Sequence, residues 1–477
     1  MAKEFPIKIG LEIHGYLNTK EKLFCKCLTS GGDVLSESPG LSGNPKSDKI
    51  NSRICPICTG QPGSKPMLAN SEAMKQVLKI GLVLGCRINH DKKLIWNRKH
   101  YDWPDLPKGY QSTLSGAYAV PVGEKGKFKG IKITEIHLEE DPSQWNPETG
   151  KINYNRSGLP LIEIVTEPEF SNAEDVIFWL KSLMHSLSYI KAIRKDLGIK
   201  ADVNVSTYGE RVEIKNLHSI ADIKKAIDYE VERQIDNYRK GIMQTRETLA
   251  YDSSKGITIK MREKESGEDY RFIPEPDLPV IKLDKKEIFR IEKELPEMPD
   301  VKLKKLIKEY KIDKKNAEIL AKNLDLVEFV EKLSETGIDV SKNISWITIE
   351  LLRVLNWNKK TLDEVDVKPE HIADLIRAVA ECKITPLKAK QVVNEFIPKS
   401  FSISKILEKH RMISEEETKK YCEEAIKKNM KAVNDFRAGE DKAINFIIGE
   451  VMRLSGKRAD YASVKDIVLK MLGKWQG

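Results

Sequence analysis

The chain of 477 residues lacks the signatures that identify most phosphate-handling and hydrolytic enzymes. It has no G-x-x-x-x-G-K-[ST] segment, which excludes a P-loop. H-R-D and D-F-G are missing, which excludes a protein-kinase scaffold. There is no H-E-x-x-H, no G-x-S-x-G elbow and no Gly/Ser-rich amidase-type segment. No apolar run approaches the ~20 residues of a membrane span. The start, MAKEFPIKIG, has no signal-peptide h-region, so no export and no membrane are expected. Cysteine is scarce and odd in number, at seven. That argues against a paired disulfide framework and points to a reducing, cytoplasmic setting.

The remaining composition is that of a folded globular protein, 40% hydrophobic and 32% charged. Lys and Arg total 81 against 72 Asp and Glu, a net charge of +9. Such an excess permits a polyanionic partner without requiring one. The expected fold class is α+β: a cradle on a mainly antiparallel sheet with flanking helices over 1–293, an all-α connector over 294–410, and a small helical tail over 411–477. The change of character falls at ELPEMPD, where Pro296 and Pro299 suggest a linker. SEEE from Ser414 resembles a helix N-cap followed by acids. Helices are expected over 174–193 and 222–239 and from Ala73; strands over 131–139, 159–165, 202–206, 211–217 and 257–262. Trp346 and Trp357 are read as core residues, and Cys86, Cys382 and Cys422 as packed thiols.

Polar residues recur at every second position in several strand-like segments. In PIKIGLEIHGYL, Ile7, Ile9, Leu11 and Ile13 share one face, and Gly10, Glu12, His14 and Tyr16 the other. Glu163 sits inside the apolar run GLPLIEIV; Asp202, Asn204 and Ser206 alternate with valines; Arg211, Glu213 and Lys215 alternate with Val212 and Ile214. In IKITEIHLEED, Glu135, His137 and Glu139 share a face, with Glu140 at the end. Such alternation marks the solvated face of any antiparallel sheet. If the strands join in one sheet, however, the carboxylates gather on one surface and must take up protons or bind cations. Carboxylates with an imidazole suit a hard cation such as Mg²⁺, which commonly accompanies phosphates. Arg98, Lys99, Lys108 and Lys215 supply the basic half of a phosphate site. Phosphoryl transfer is the chemistry these residues point to.

Cys25 and Cys27 form C-x-C, and Cys55 and Cys58 form C-x-x-C. Two close pairs separated by a polar Gly/Ser-rich loop are the pattern of a tetrahedral structural Zn²⁺ site. Four reduced thiols without metal would leave the same pattern.

The segments GLEIH, KLFCKC, GQPGSKP, NRKHYDWPDLPKGYQ, IHLEED, NRSGLPLIEIVTEPE, DVNVS, RVEIKNLHS, YEVERQ and DYRFIPEPDLP occur in this order. Together with the tail GEVMRLSGKRADYASVKDIVLKML, they resemble the GatB family, the B-type subunits of the aspartyl/glutamyl-tRNA amidotransferases. The length leaves no room for the extra domain of the related archaeal GatE proteins, so a GatB chain is expected. Differences are present: His100, Asp102 and Trp103 stand in a stretch the family commonly reads RKNYFYPDLPKGYQISQ, and EDPSQW replaces EDAGK.

The resemblance implies an ATP-dependent ligase. It phosphorylates the side-chain carboxylate of Glu-tRNA(Gln), and of Asp-tRNA(Asn) in many members, and amidates it with ammonia. The ammonia would come from an amidase partner subunit, with a small third subunit completing a heterotrimer. By match to the family's motifs, Glu12, His14, Glu140, Glu163, Asp202 and Glu213 are implied as Mg²⁺ ligands at the catalytic centre. Alternation sets Glu140 apart from Glu135, His137 and Glu139, so a bulge or strand end beside it is expected. Lys99, Tyr101 and Lys108 match the nucleotide neighbourhood. The cysteine quartet matches the zinc site of some members, and the tail a module that grips tRNA.

Overall fold

A computed structural model describes residues 5–29, 49–101, 103–215, 217, 219–263, 271–405 and 407–474. The polar loop between the two cysteine pairs and the substituted Asp102 lie outside the described residues. The chain divides into two units, Met1–Glu297 and Met298–Gly477.

The first unit contains strands β1 (Lys8–Tyr16), β2 (Arg87–Ile88), β3 (Asn97–His100), β4 (Gln111–Thr113), β5 (Gly123–Phe128), β6 (Ile131–Glu140), β7 (Gln144–Trp145), β8 (Ile152–Asn153), β9 (Pro160–Thr166), β10 (Ile199–Ser206), β11 (Val212–Lys215), β12 (Glu247–Asp252), β13 (Ile257–Glu263) and β14 (Arg271–Pro274). All but the β7–β8 hairpin join one sheet of order β13-β12-β11-β10-β1-β9-β6-β4-β3-β14, with β5 joining β6 to β2. Its pairings are antiparallel except for β11–β12.

Period-two alternation sorts the residues of this sheet by face. Ile9, Leu11 and Ile13 of β1, Ile136 and Leu138 of β6, Ile162 and Ile164 of β9, and Val203 and Val205 of β10 are all buried. Helices α1 (Ser71–Val83) and α3 (Ile220–Arg239) pack against this apolar side, and α2 (Ala173–Tyr189) lies against α3. Gly81 of α1 approaches so closely that a Cβ there would meet Ile136 Cδ1 at 2.7 Å. Each helix starts where a side chain caps it: Asn70, Asn172 and Ser219 accept from backbone N–H groups of the first turn. Trp179 Nε1 donates to Phe128 O at 2.8 Å, anchoring α2 beside the sheet.

The second unit is helical. Leu306, Leu320, Val330, Leu351, Ile372 and Phe396 belong to one apolar core, and Cys422, Ile447, Val451 and Val468 to another that begins at Ile413. Ser414 caps the helix Glu415–Lys428 through a capping box with Glu417. Two expectations fail. Trp346 packs against the first core, but Trp357 ends its helix 87% exposed. Cys86 and Cys422 are buried, but Cys382 is exposed, in the turn that follows a helix C-cap. Both positions sit at helix ends, where the apolar period no longer dictates burial. No helix among the described residues is long and apolar enough to cross a membrane.

Candidate active site and metal centres

Register places the alternating acids of separate strands side by side. His14 of β1 stands opposite Glu163 of β9, which stands opposite His137 of β6. Glu12 stands opposite Asp202, and Asn204 opposite Glu213. Directly paired residues point to the same side of a sheet. Glu213, Asp202, Glu12, His14, Glu163 and, on β6, Glu135 and Glu139 therefore share the face opposite the apolar one.

The tightest group is His14, Glu139 and Glu163, whose ligand atoms lie within 4.8 Å of one another. His14 Nε2 is 3.4 Å from Glu163 Oε2 and 4.0 Å from Glu139 Oε1. His137, 3% exposed, stands 3.1 Å from both Glu135 and Glu163. Burial works against charge on His14, but the Glu163, Glu139 and Asp202 carboxylates outweigh it and lift the imidazole to about 9. The same contest raises His137. Burial pushes Glu163 up, yet its two histidines hold it well below the usual carboxylate range. A cavity of about 100 Å³ opens here, lined by Lys99, Thr113, Glu135, His137, Glu139 and Glu163.

Glu12 accepts from Asn204 Nδ2 at 3.0 Å. Lys215 Nζ bridges Asp202 (3.0 Å) and Glu213 (2.9 Å). Thr113 Oγ1 and Asn204 Oδ1 are buried with no hydrogen-bond partner among the described residues. Hard oxygen donors, an imidazole and unpartnered oxygens on one face fit a hydrated Mg²⁺ and phosphates.

Glu140 corrects the expectation. The β6–β9 register runs unbroken from Glu135 to Glu140, and the irregularity lies at the other end, between Ile133 and Glu135. Alternation therefore turns Glu140 away from the cluster. Its carboxylate accepts from Ser112 N at 2.9 Å and from Lys108 Nζ. The structure brings Glu139 to His14 in its place. Lys108, matched to the nucleotide neighbourhood, is held by Glu140 and lies over the Tyr110 ring at 4.7 Å. Lys99 lines the cavity, and Tyr101 follows β3 half-buried. Glu135, His137 and Glu139 are visible in the alternation, but nothing local marks them as nearer to His14 than Glu140.

The cysteines form the second candidate centre. A turn closed by the Glu21–Leu28 bridge carries Cys25 and Cys27; a second, closed by Thr59 N→Cys55 O at 3.1 Å, carries Cys55 and Cys58. The four sulfurs lie within 4.8 Å of one another, with Cys55–Cys58 at 3.8 Å and Cys58–Cys27 at 4.0 Å. Tetrahedral Zn–S bonds of ~2.3 Å require sulfurs about 3.8 Å apart. A shared hydrogen bond splits the thiols: Cys58 is drawn down to about 5, chiefly by Cys25, while Cys25 is raised. The set fits zinc.

Residues 7–289 match the family described as the GatB/GatE catalytic domain, and residues 328–472 match the GatB domain. The chain is 39% identical to the B-type subunit of the aspartyl/glutamyl-tRNA(Asn/Gln) amidotransferase of Methanococcus maripaludis over 490 aligned positions, covering 99% of this chain and 100% of that one. It is 40% identical to the Methanocaldococcus jannaschii protein of the same description, covering 99% of both chains. Against the Methanopyrus kandleri counterpart identity is 37%, over 95% of this chain and 96% of that one.

Proposed function

The chain belongs to the GatB family, and from that membership we propose that it is the amidating subunit of an aspartyl/glutamyl-tRNA(Asn/Gln) amidotransferase. It uses ATP to phosphorylate the side-chain carboxylate of Glu-tRNA(Gln), with Asp-tRNA(Asn) as a second substrate. Ammonia then attacks the acyl phosphate, forming the amide and releasing phosphate. A bare carboxylate is a poor acyl donor, and phosphorylation supplies its leaving group. The ammonia comes from a glutaminase partner, the amidase subunit, joined by a small bridging subunit in a heterotrimer.

The observation that carries this reading is the row of acids and imidazoles from β11 to β6, flanked by Lys99 and Lys215. Glu12, His14, Glu139, Glu163, Asp202 and Glu213 would hold Mg²⁺, with Glu139 in the place that motif matching gives to Glu140. When bound, Mg²⁺ neutralises and orients the polyphosphate. Lys99 lines the cavity where an anionic group would enter. Lys215 keeps Asp202 and Glu213 from repelling one another. Residues 1–293 form the catalytic cradle, 294–410 the connector and 411–477 the tRNA-binding tail. Cys25, Cys27, Cys55 and Cys58 hold a structural Zn²⁺.

The test is ATP turnover by the complex reconstituted with the amidase and the small subunit. Adding Glu-tRNA(Gln) should raise ATP hydrolysis and produce Gln-tRNA(Gln). Equal stimulation by free glutamate would assign a small-molecule kinase instead. A Glu163→Ala chain that binds tRNA and amidates normally would reduce the carboxylate face to a scaffold.

A further inference from the structure

Lys22 is 1% exposed, among the largest fully buried side chains of the protein. Its Nζ donates to Tyr154 O at 3.2 Å, and no carboxylate among the described residues pairs with it. A carbonyl satisfies one of the three ammonium donors and none of the charge. A buried ammonium needs negative charge nearby.

The source of that charge lies in the same turn. Lys22 N donates to Cys27 O at 2.9 Å, so Lys22 lies at the base of the loop presenting Cys25 and Cys27. Its stem also runs beside the second cysteine pair. A Cβ on Gly158 would stand 3.8 Å from Lys22 Cδ and 3.7 Å from Cys58 Cβ. Ser157 Oγ donates to Cys58 O at 2.7 Å and Leu23 N to Gly158 O at 2.8 Å, locking the three segments together. Four thiolates around a divalent zinc leave a net charge of minus two. Cys55 N pointing to Cys58 Sγ at 3.2 Å offsets part of it.

We infer that Lys22 is the counter-cation of the zinc tetrathiolate, a positioning residue that touches no metal but allows a doubly negative centre to be buried. This rests on the zinc reading above. It weighs more with metal than without: the loaded centre carries two negative charges for Lys22 to balance, more than the metal-free thiols carry.

The experiment uses the full chain with zinc alone as ligand. Zinc affinity is measured by competition with a chromogenic chelator for wild type, Lys22→Met and Lys22→Gln, and thermal midpoints are measured with and without zinc. Both variants should bind zinc about 10–100-fold more weakly, the range for groups supporting a metal's ligands. Their thermal midpoints should fall further below wild type with zinc than without it. Affinity within about twofold of wild type would overturn the inference. So would variants that fail to fold without metal, because Lys22 would then be packing rather than balancing charge. A wild-type chain that takes up no zinc overturns the zinc reading itself, and that result is seen before any variant is compared.

Discussion

Glu139 and Glu140 are consecutive, yet they face opposite sides of one sheet. Glu139 Oε1 lies 4.0 Å from His14 Nε2, while Glu140 is clasped by Lys108 and by Ser112 N. Amidation should therefore separate the two. Glu139→Gln should lower Glu-tRNA-dependent ATP hydrolysis by about 100-fold or more and weaken Mn²⁺ binding. Glu140→Gln should leave Mn²⁺ affinity unchanged and instead cost roughly 1–3 kcal/mol of stability, because Lys108 loses its partner. Mn²⁺ titration monitored by electron paramagnetic resonance, beside urea melts, checks both.

Gly60 joins the second cysteine turn to the loop that carries Lys108. Its φ is +63°, and a Cβ there would stand 2.3 Å from the backbone oxygen of Pro107. Gly60→Ala should destabilise the first unit by roughly 2–4 kcal/mol, from a strained backbone and a clash that no rotamer relieves. A melt indistinguishable from wild type would show that the two loops do not pack this closely.

Arg98 forks onto Glu275 at 2.8 and 2.6 Å and reaches Asp277 at 3.1 Å. Burial pushes Glu275 up, but Arg98 and the Asp277 N–H outweigh it, so the carboxyl lies below its ordinary value. A depressed carboxyl contributes stability above its unfolded value and loses it as pH falls through the folded one. Arg98→Ala should cost roughly 3 kcal/mol at neutral pH, and the gap to wild type should narrow in acid, where Glu275 is protonated in both. Urea unfolding across the acid range measures this.

The core that begins at Ile413 is built from the tail's own residues, Cys422, Ile447, Val451 and Val468 among them. Removing residues 411–477 should leave the melting of the first unit unchanged and weaken tRNA binding. It should also flatten the dependence of log K on log salt, as phosphate contacts are lost. Filter binding at several salt concentrations reads the slope.

Much of this protein is written in short-range pattern. The caps at Asn172, Ser219 and Ser414, the alternation of β1, β6 and β10, and the paired cysteines follow from residues a few positions apart. That is because backbone period and hydrogen-bond capping are local properties. Pattern alone also separates Glu139 from Glu140, where motif matching points the other way.

Tertiary pairing decided the rest. Nothing in the chain order says that β1 lies between β10 and β9, yet that neighbourhood sets Glu12 against Asp202 and His14 against Glu163. Nor does it say that Lys215 fills the gap between Asp202 and Glu213, or that Lys22 is buried beside the cysteine turns. Side-chain direction within a strand depends on the backbone's two-residue repeat. Which charges meet depends on which distant apolar faces bury one another, and that is settled only when the whole sheet assembles.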